Sequence, residues 1–387
     1  HSSNDPCAVA PSRKNGGWVN GRCRVSPVIA NAIAGLVFCF REVFMRKELT
    51  LEAVRADPYG FTYKEYAEVM GEAEASRAFA SLYRRKVAPA SQTLTVKTVY
   101  RGGDTDKYVF ELPGGKCIET VCIKRRDGAT VCVSTQVGCP VHCMFCESGK
   151  NGFVRNLTPS EIVQQVVLLG RKITRIVYMG MGEPLFNYDN VLQSIHILRD
   201  RNGLNFPTDG ITLSTTGPLD RLKRLCEEHL KIQFTLSLHA TTQAVRDRLI
   251  PGVKNYPIDS VVEAALSYSE RHNRRIVIAY LLLPGINDSP SDVRNLAKWF
   301  QSKNVMINLL EYNKTTTSSI RKPTRQEMSA FKKRLEAAGV AVTMRVSHGG
   351  NIKAACGQLA NHYNNKKLQE ANYENHYNQS RVRQRWT

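Results

Sequence analysis

Apolar and polar positions change period twice along the chain, and these changes separate three kinds of structure. Between residues 46 and 92 apolar and charged side chains recur at helical spacing, most clearly from Tyr63 to Arg85. Between Thr93 and Val133 the pattern shortens to alternating strands, joined by Gly-rich turns at Gly102-Gly103 and Gly114-Gly115. The sequence therefore predicts a helical region followed by a small β region.

From Leu157 onward, apolar strands alternate with amphipathic helices. The predicted strands are 175–180, 211–216, 233–239, 275–283, 306–312 and 341–346. The predicted helices include 158–170, 220–229, 258–271, 292–301 and 324–338, the first and last opened by capping boxes. Repeated strand–helix units with hydrophobic strands indicate a parallel sheet. The expected fold is α/β, a partial (β/α)6 barrel of the TIM type.

The same changes set the predicted domain boundaries. Residues 1–44 are expected to be an upstream extension, disordered or loosely helical, because the chain begins with His and Met45 offers a natural start. Its apolar run from Val28 to Phe40 faintly suggests a signal peptide but is too short to span a bilayer. A helical accessory region (45–92), a β extension (93–133), a catalytic domain (134–360) and a basic tail (361–387) follow.

Composition adds two constraints. The net charge of +20 favours a polyanionic partner such as RNA or DNA, although a generally basic enzyme is the alternative. The eleven cysteines are unevenly spaced in a chain of 387 residues, which does not indicate a disulfide framework. Reduced thiols favour a cytoplasmic setting, and no membrane association is expected.

The strongest motif is a loop with Cys139, Cys143 and Cys146 in the spacing C-x3-C-x2-C. Three thiolates leave a tetrahedral zinc site one ligand short. They can instead hold three irons of a [4Fe-4S] cluster and leave the fourth iron open to a chelating ligand. A structural metal knuckle is the alternative interpretation.

Polar residues recur at the predicted strand ends, where parallel barrels place their ligands. Glu183, in Met179-Gly-Met-Gly-Glu-Pro184, is suited to pair with an ammonium group, and Ser214 and Ser237 are suited to bond a ribose hydroxyl. The alternatives are a strand-end turn for Glu183 and helix caps for the serines. His239 is equally well interpreted as a core histidine. Asn313 directly follows the predicted strand 306–312.

Seven segments occur in the order VCVSTQVGC with the two following cysteines, VYMGMGEPL, ITLSTTGP, FTLSLHA, LLLPGINDS, NLLEYN and AACGQL. Together they resemble the RlmN/Cfr family of radical S-adenosylmethionine (SAM) RNA methyltransferases over roughly residues 93–363. The resemblance implies that the three loop cysteines hold the cluster and that two SAM molecules are used per turnover. The SAM contacts that it implies are Gly182, Glu183, Ser214, Ser237, Leu238, His239 and Asn313.

The resemblance also assigns roles to three further residues. Cys356 would take a methyl group from one SAM, and the 5′-deoxyadenosyl radical from a second SAM would remove a hydrogen atom from it. The resulting carbon radical adds to an adenine ring carbon, and Glu119 accepts the ring proton. Cys132 then attacks the Cys356 sulfur, forming a disulfide and releasing methylated RNA. Without the resemblance, Cys356 would be interpreted as a thiol packed in the core, and Glu119 as an exposed carboxylate on a strand.

The implied substrate is C2 of an adenine in 23S rRNA, with tRNA as a second RNA. Residues 278–285 look closer to the branch that methylates C8, which is associated with antibiotic resistance, so this remains an alternative. An external electron donor such as flavodoxin or ferredoxin and a monomeric enzyme are expected. The short helical region and the stretch Gly349–Lys353 depart from the family pattern and leave the RNA contacts open. A radical SAM activase acting on a protein and an iron–sulfur RNA-binding protein are the competing functions.

Overall fold

The computed structural model describes residues 48–85, 87–150, 152–315, 320–345 and 349–359. The predicted extension at 1–44 and the predicted tail at 361–387 lie outside the described residues. Within the described part of the chain, no helix has the length and apolar character needed to cross a membrane.

The described chain begins with three short helices, α1 (Leu51–Ala56), α2 (Tyr63–Met70) and α3 (Glu72–Phe79), followed by a wider helical turn at Ala80–Arg84. A capping box between Thr62 and Glu65 starts α2, because each side chain satisfies a backbone N–H that the helix leaves free.

Four strands follow and form antiparallel hairpins. They are β1 (Thr95–Gly102), β2 (Thr105–Glu111), β3 (Cys117–Arg125) and β4 (Gly128–Cys132). Along β3 the side chains alternate between two faces, so Glu119, Val121 and Ile123 share one face. Val121 pairs with Cys132 across β3 and β4. The β region predicted from the sequence is therefore present.

The remaining strands are β5 (Gln136–Gly138), β6 (Phe153–Asn156), β7 (Ile173–Tyr178), β8 (Ile211–Thr215), β9 (Gln233–Ser237), β10 (Ile276–Leu282), β11 (Val305–Glu311) and β12 (Val342–Arg345). Among the described strands, β1 to β4 and β7 to β12 form one sheet in chain order. Each neighbouring pair from β4 and β7 through to β12 is parallel. This confirms the predicted partial barrel. It also shows that β4, placed in the β region by sequence, is the first parallel strand.

Helices cover the parallel strands. They are α4 (Pro159–Val167), α5 (Tyr188–Arg199), α6 (Leu219–Glu227), α7 (Gln243–Leu249), α8 (Ile258–His272), α9 (Pro290–Phe300) and α10 (Arg325–Ala337). Both predicted capping boxes form, at Thr158 with Glu161 and at Thr324 with Glu327. The barrel strands and the inner faces of these helices share one hydrophobic core.

One buried amide ties the helical layer to the sheet. The Gln165 side chain on α4 accepts from Ser134 N at 2.8 Å and from Thr120 Oγ1 at 2.7 Å, and its Nε2 donates to Ser134 O at 2.9 Å. Ser134 Oγ in turn donates to Glu119 O at 2.6 Å and accepts from Met181 N at 2.9 Å. Gln165 therefore fixes the chain just after β4, where the cysteine loop begins.

Replacing Gln165 by Ala should lower the free energy of unfolding by about 2–4 kcal/mol, because buried polar groups of Ser134 and Thr120 lose their partner. Chemical denaturation of the full chain measures this change. Gln326→Ala is the matched control, since Gln326 is an exposed glutamine on α10. Equal stability losses in both variants would contradict the structural role assigned to Gln165.

Candidate active site

The carboxyl ends of the parallel strands surround a cavity of about 240 Å³. Eleven of the residues singled out from the sequence line it: Cys132, Cys139, Cys143, Cys146, Gly182, Glu183, Ser214, Ser237, His239, Asn313 and Cys356. Apart from the three cysteines of the loop after β5, they lie at or after the ends of β4, β7, β8, β9, β11 and β12, and parallel strands end on one side.

The three loop cysteines reach the cavity together. Val141 and Phe145 line it beside them, while His142 and Met144 are exposed. Gly138 opens the loop with φ near +80°, and a Cβ there would lie 1.9 Å from Gly152 O, so only glycine fits. Burial is the main cause that raises the pKa of each thiol, and the Cys143 thiol also feels Cys146, Cys139 and Glu183. The three sulfurs are thus close enough to interact.

A distant segment closes over this loop. Glu147 N donates to Gly357 O at 2.8 Å, and Ser148 Oγ donates to Leu359 O at 2.7 Å. Gly357 has φ near +79°, and a Cβ there would lie 2.9 Å from Phe145 O. Asn313 Nδ2 donates to Cys356 O at 3.2 Å. Cys356 is therefore held at the cavity, and the residue is exposed to solvent.

Cys132 and Cys356 line the same cavity. Burial, with a smaller contribution from Cys356, raises the pKa of the Cys132 thiol to about 12, and the positive charge of Arg345 partly opposes this shift. All eight described cysteines are free thiols, so the disulfide expected between Cys132 and Cys356 is not supported by the structure.

Glu183 is a buried carboxylate with four donors. Its oxygens accept from Leu185 N, Thr215 Oγ1, Thr216 N and Thr216 Oγ1 at 2.6–3.0 Å. Burial raises the pKa of Glu183, and the hydrogen bonds from Thr215 and Thr216 oppose that shift by favouring the ionised form. The side chain is consequently fixed in position at the junction of β7 and β8.

The neighbouring strand ends present His239 and two serines. Ser214 Oγ and Ser237 Oγ lie 3.3 Å apart. His239 Nδ1 accepts from Leu281 N at 3.0 Å, which leaves the ring proton on Nε2. Its ring packs edge-on against Phe145 of the cysteine loop, with centroids 4.9 Å apart. Burial lowers the pKa of His239 to about 3, helped by the charge of Arg246.

Two predicted residues do not line the cavity. Leu238 is buried in the main core, with its backbone held by Ala279 O. Glu119 lies on the cavity-facing side of β3 but is 2% exposed. Its carboxylate lies 3.4 Å from Lys107 Nζ, and Lys107 also donates to Lys353 O at 3.3 Å. Lys107 thus connects Glu119 to the segment that carries Cys356.

Sequence reasoning missed Lys107, Arg246, Arg345 and the two threonines that hold Glu183. Arg246 is fully buried on α7, and Arg345 lines the cavity at the end of β12. No local signal marked them, since basic residues on an amphipathic helix or at a strand end are usually exposed. The Thr215-Thr216 pair lay within the quoted ITLSTTGP segment, but its partner was not foreseen.

Comparisons with known proteins identify the family of this chain. The family model of the Radical SAM superfamily matches residues 133–300. A "Probable RNA methyltransferase" of Rhodopseudomonas palustris is 51% identical over 268 residues, 69% of this chain and 75% of that protein. A "Probable dual-specificity RNA methyltransferase RlmN" of Pseudothermotoga lettingae is 40% identical over 326 residues, 82% and 95% of the two chains.

The chain belongs to the RlmN family of radical SAM RNA methyltransferases. A crystal structure of a radical SAM methyltransferase from Sphaerobacter thermophilus agrees with the fold of this family member, with a TM-score of 0.74 and 34% identity. The alignment covers 78% of this chain and 98% of that one. The protein is therefore an enzyme, and the activase and RNA-binding alternatives are wrong.

Membership in the RlmN family implies a [4Fe-4S] cluster and SAM, and the site residues fit both. The described residues contain no group of three His, Cys, Asp or Glu that converges on a single metal ion. This is compatible with a cluster, because each cysteine binds its own iron and the sulfurs need not meet at one point. Three mutually interacting thiols on one cavity, under an apolar cover, are the donor set that a cubane requires.

The neutral state of His239 has a measurable consequence. An unfolded chain binds a proton at this residue near pH 6.5, whereas the folded chain does so near pH 3. The free energy of unfolding should therefore fall as the pH drops through this window, by up to about 1.4 kcal/mol per pH unit. Nitrogen-15 shifts of the metal-free chain should show a neutral Nε2–H ring at pH 5.5.

The His239→Gln variant should flatten this pH dependence of stability, because its side chain does not titrate. His229→Gln is the control, since His229 is exposed near the end of α6. A doubly protonated His239 ring at pH 5.5 would contradict the hydrogen bond from Leu281 N to Nδ1.

Proposed function

We propose that this enzyme methylates C2 of an adenine in RNA, with 23S rRNA as the main substrate and tRNA as a second one. One observation carries the proposal: Cys132 and Cys356 open on the same cavity as the three loop cysteines. Iron–sulfur chemistry alone requires no further thiols there. Two additional sulfurs, within electrostatic reach of each other, suit a carbon unit that is carried on one and released by the other.

In this proposal Cys139, Cys143 and Cys146 hold the cluster. Gly182, Glu183, Ser214, Ser237, Leu238, His239 and Asn313 contact SAM. Glu183 suits the ammonium group because burial makes its charge effective, and Ser214 with Ser237 suits a ribose hydroxyl pair. When bound, the cluster and SAM supply a radical able to remove a hydrogen atom from an unactivated methyl group.

The protein's own residues carry the rest of the reaction. Cys356 holds the methyl carbon as a thioether, and its exposure allows it to meet an RNA base. Asn313 and the bonds to Glu147 and Ser148 keep it in position. After the carbon joins the base, Glu119 accepts the ring proton; Lys107 Nζ, 3.4 Å from its carboxylate, holds that side chain in position.

Cys132 then attacks the sulfur of Cys356: a sulfur–sulfur bond forms as the carbon–sulfur bond breaks, and the electron pair leaves with the carbon, which takes up a proton to become the methyl group of the base. This attack requires the thiolate of Cys132, since the thiol is a poor nucleophile. Arg345 lies near enough to favour the thiolate of Cys132, which suits it to this role. A covalent enzyme–RNA intermediate divides one difficult step into two easier ones, because an electron-poor ring carbon cannot attack a sulfonium methyl directly.

Methylation at C8 is the second candidate, favoured by the segment Ile278 to Gly285, which resembles the other branch of the RlmN/Cfr family. In either case the target adenine must leave its stack, since ring carbons are shielded within a helix. The positive charge of the chain suits an RNA partner, and reduced thiols suit a cytoplasmic enzyme with an external electron donor such as flavodoxin or ferredoxin. We propose that residues 45–92 form the accessory region that helps to hold the RNA.

Replacing Cys132 by Ala should trap the covalent protein–RNA adduct, because nothing then displaces carbon from Cys356. A slow-migrating, RNase-sensitive band in a denaturing gel and RNA attached to the Cys356 peptide by mass spectrometry would show it. Cys226→Ala is the control: Cys226 is a buried thiol on α6, away from the cavity, and should give free methylated product. Adduct formation by the double variant lacking Cys132 and Cys356 would contradict the assignment of Cys356.

Anaerobic reconstitution with methyl-labelled SAM and total RNA should yield 2-methyladenosine after digestion to nucleosides, as identified by mass spectrometry. The label should be lost when Cys356 is replaced by Ala. Finding 8-methyladenosine instead would move the assigned target carbon from C2 to C8 and leave the proposed roles of the thiols unchanged. If the protein carries both the cluster and SAM but the digested RNA contains no methylated adenosine, the proposal is rejected.

A further inference from the structure

Arg246 is a buried cation beneath the site, in a position that no part of the proposed mechanism uses. It lies on α7, and its side chain has 0% exposure. Its Nη1 donates to Leu238 O at 2.8 Å and weakly to Ser237 O at 3.4 Å, and its Nη2 donates to Thr216 O. All three acceptors are neutral backbone carbonyls at the ends of β8 and β9.

Among the described residues, the hydrogen bonds of the Arg246 guanidinium all go to backbone carbonyls and none to a carboxylate. Its Nε has no hydrogen-bond partner there. Neutral carbonyls solvate a guanidinium only in part, and an uncompensated buried charge is strongly destabilising. The ionisable groups that act on its charge are Cys143, Asp247 and Glu183, and Cys143 and Glu183 line the cavity. Negative charge gained in the cavity, as when Cys143 loses its proton, would therefore be stabilised by Arg246.

Arg246 also connects two parts of the proposed site. Thr216, which accepts from Arg246, donates its N–H and its hydroxyl to Glu183. Leu238 and Ser237 precede His239 on the adjacent strand end. One buried side chain thus fixes the spacing between the strand ends that carry Ser214 and Ser237.

The segment that follows Arg246 supports the cysteine loop. Met144 N donates to Leu249 O at 3.0 Å, and Gly252 N donates to Val141 O at 2.9 Å. A Cβ at Gly252 would lie 2.4 Å from Val141 Cα, so the two backbones are in close contact. Residues 246–252 therefore touch both the strand ends and the loop with the three thiols.

We propose that Arg246 is a positioning residue that balances the negative charge of the bound cluster and sets the spacing of the SAM-binding strand ends. The inference rests on the proposed function, since it requires that Cys143 and its two partners hold iron. A buried positive charge stabilises the reduced, more negative cluster relative to the oxidised one. Arg246 then makes reduction of the cluster easier, and its three carbonyl contacts preserve the geometry of the SAM site.

The test compares Arg246→Met, Arg246→Lys and the control Arg248→Met in the full chain, each reconstituted anaerobically. Arg248 is an exposed arginine on the same helix, two residues further on. Iron and sulfide content, the midpoint potential of the cluster from EPR-monitored titration, and the Kd of SAM are measured for each. Circular dichroism and Tm report whether each variant folds.

Arg246→Met should shift the midpoint potential to more negative values and weaken SAM binding roughly ten- to hundredfold, as expected for the loss of charge-assisted hydrogen bonds. Arg246→Lys should keep the potential near that of the wild type, because the charge remains. It should still weaken SAM binding, because one ammonium cannot span carbonyls on two strands. Arg248→Met should match the wild type in both measurements.

Two results would overturn the inference. One is a folded Arg246→Met variant with the wild-type potential and SAM affinity. The other, decisive also if Arg246→Met does not fold, is an Arg246→Lys variant whose SAM affinity equals that of the wild type. A wild-type chain that takes up no iron would instead refute the proposed function, and this inference with it. If the wild type takes up iron and the Arg246 variants keep its midpoint potential and its Kd for SAM, the inference is overturned and the proposed function stands.

Discussion

The site depends on hydrogen bonds that join two segments about 210 residues apart in the chain, the cysteine loop and the turn that carries Cys356. Closing a flexible loop of that length costs about 5 kcal/mol in chain entropy, whereas each hydrogen bond contributes about 1 kcal/mol. The bonds from Glu147 and Ser148 cannot bring the segments together by themselves. The parallel sheet does so, because burial of β7 to β12 in one core supplies free energy that the two hydrogen bonds lack. The hydrogen bonds then set the position of Cys356 relative to the three thiols.

The two buried charges of the site, on Glu183 and Arg246, differ in how they are stabilised. Glu183 is held by four donors, all from residues within or adjacent to β7 and β8, so its position is determined before any ligand arrives. Such preorganisation lowers the cost of ordering the site on binding. Arg246, by contrast, has only neutral acceptors, and the three thiols are protonated at neutral pH because burial raises their pKa values. In the proposed function, binding of iron would remove those protons and turn neutral sulfurs into negatively charged partners for this cation.

Sequence patterns anticipated the barrel to within about two residues at most strand ends, as with 275–283 against the observed Ile276–Leu282. This worked because buried parallel strands are continuous apolar runs and capping boxes mark helix starts. The same rule placed Ser214, Ser237 and Asn313 at the cavity. It could not place Glu119 behind Lys107, or distinguish buried Arg246 from exposed Arg248 on one short helix, because those outcomes depend on pairings across the fold. The parallel pairing of β4 was missed for the same reason: its hairpin with β3 is local, and its partner β7 lies forty residues further on.

The two thiols at the cavity are not equivalent, and the difference orders their roles. Cys356 is exposed, whereas burial raises the pKa of the Cys132 thiol to about 12 and keeps this thiol protonated near neutral pH. In the proposed mechanism, the accessible sulfur of Cys356 is the one that an incoming methyl donor would meet first. Cys132 remains unreactive until its surroundings change, and Arg345 is the nearby positive group that favours its thiolate. If both thiols were equally reactive, each would compete for the methyl group and none would remain to release the product. In the proposed mechanism, burial of Cys132 and exposure of Cys356 would therefore allow the same cavity both to load a carbon unit and to release it.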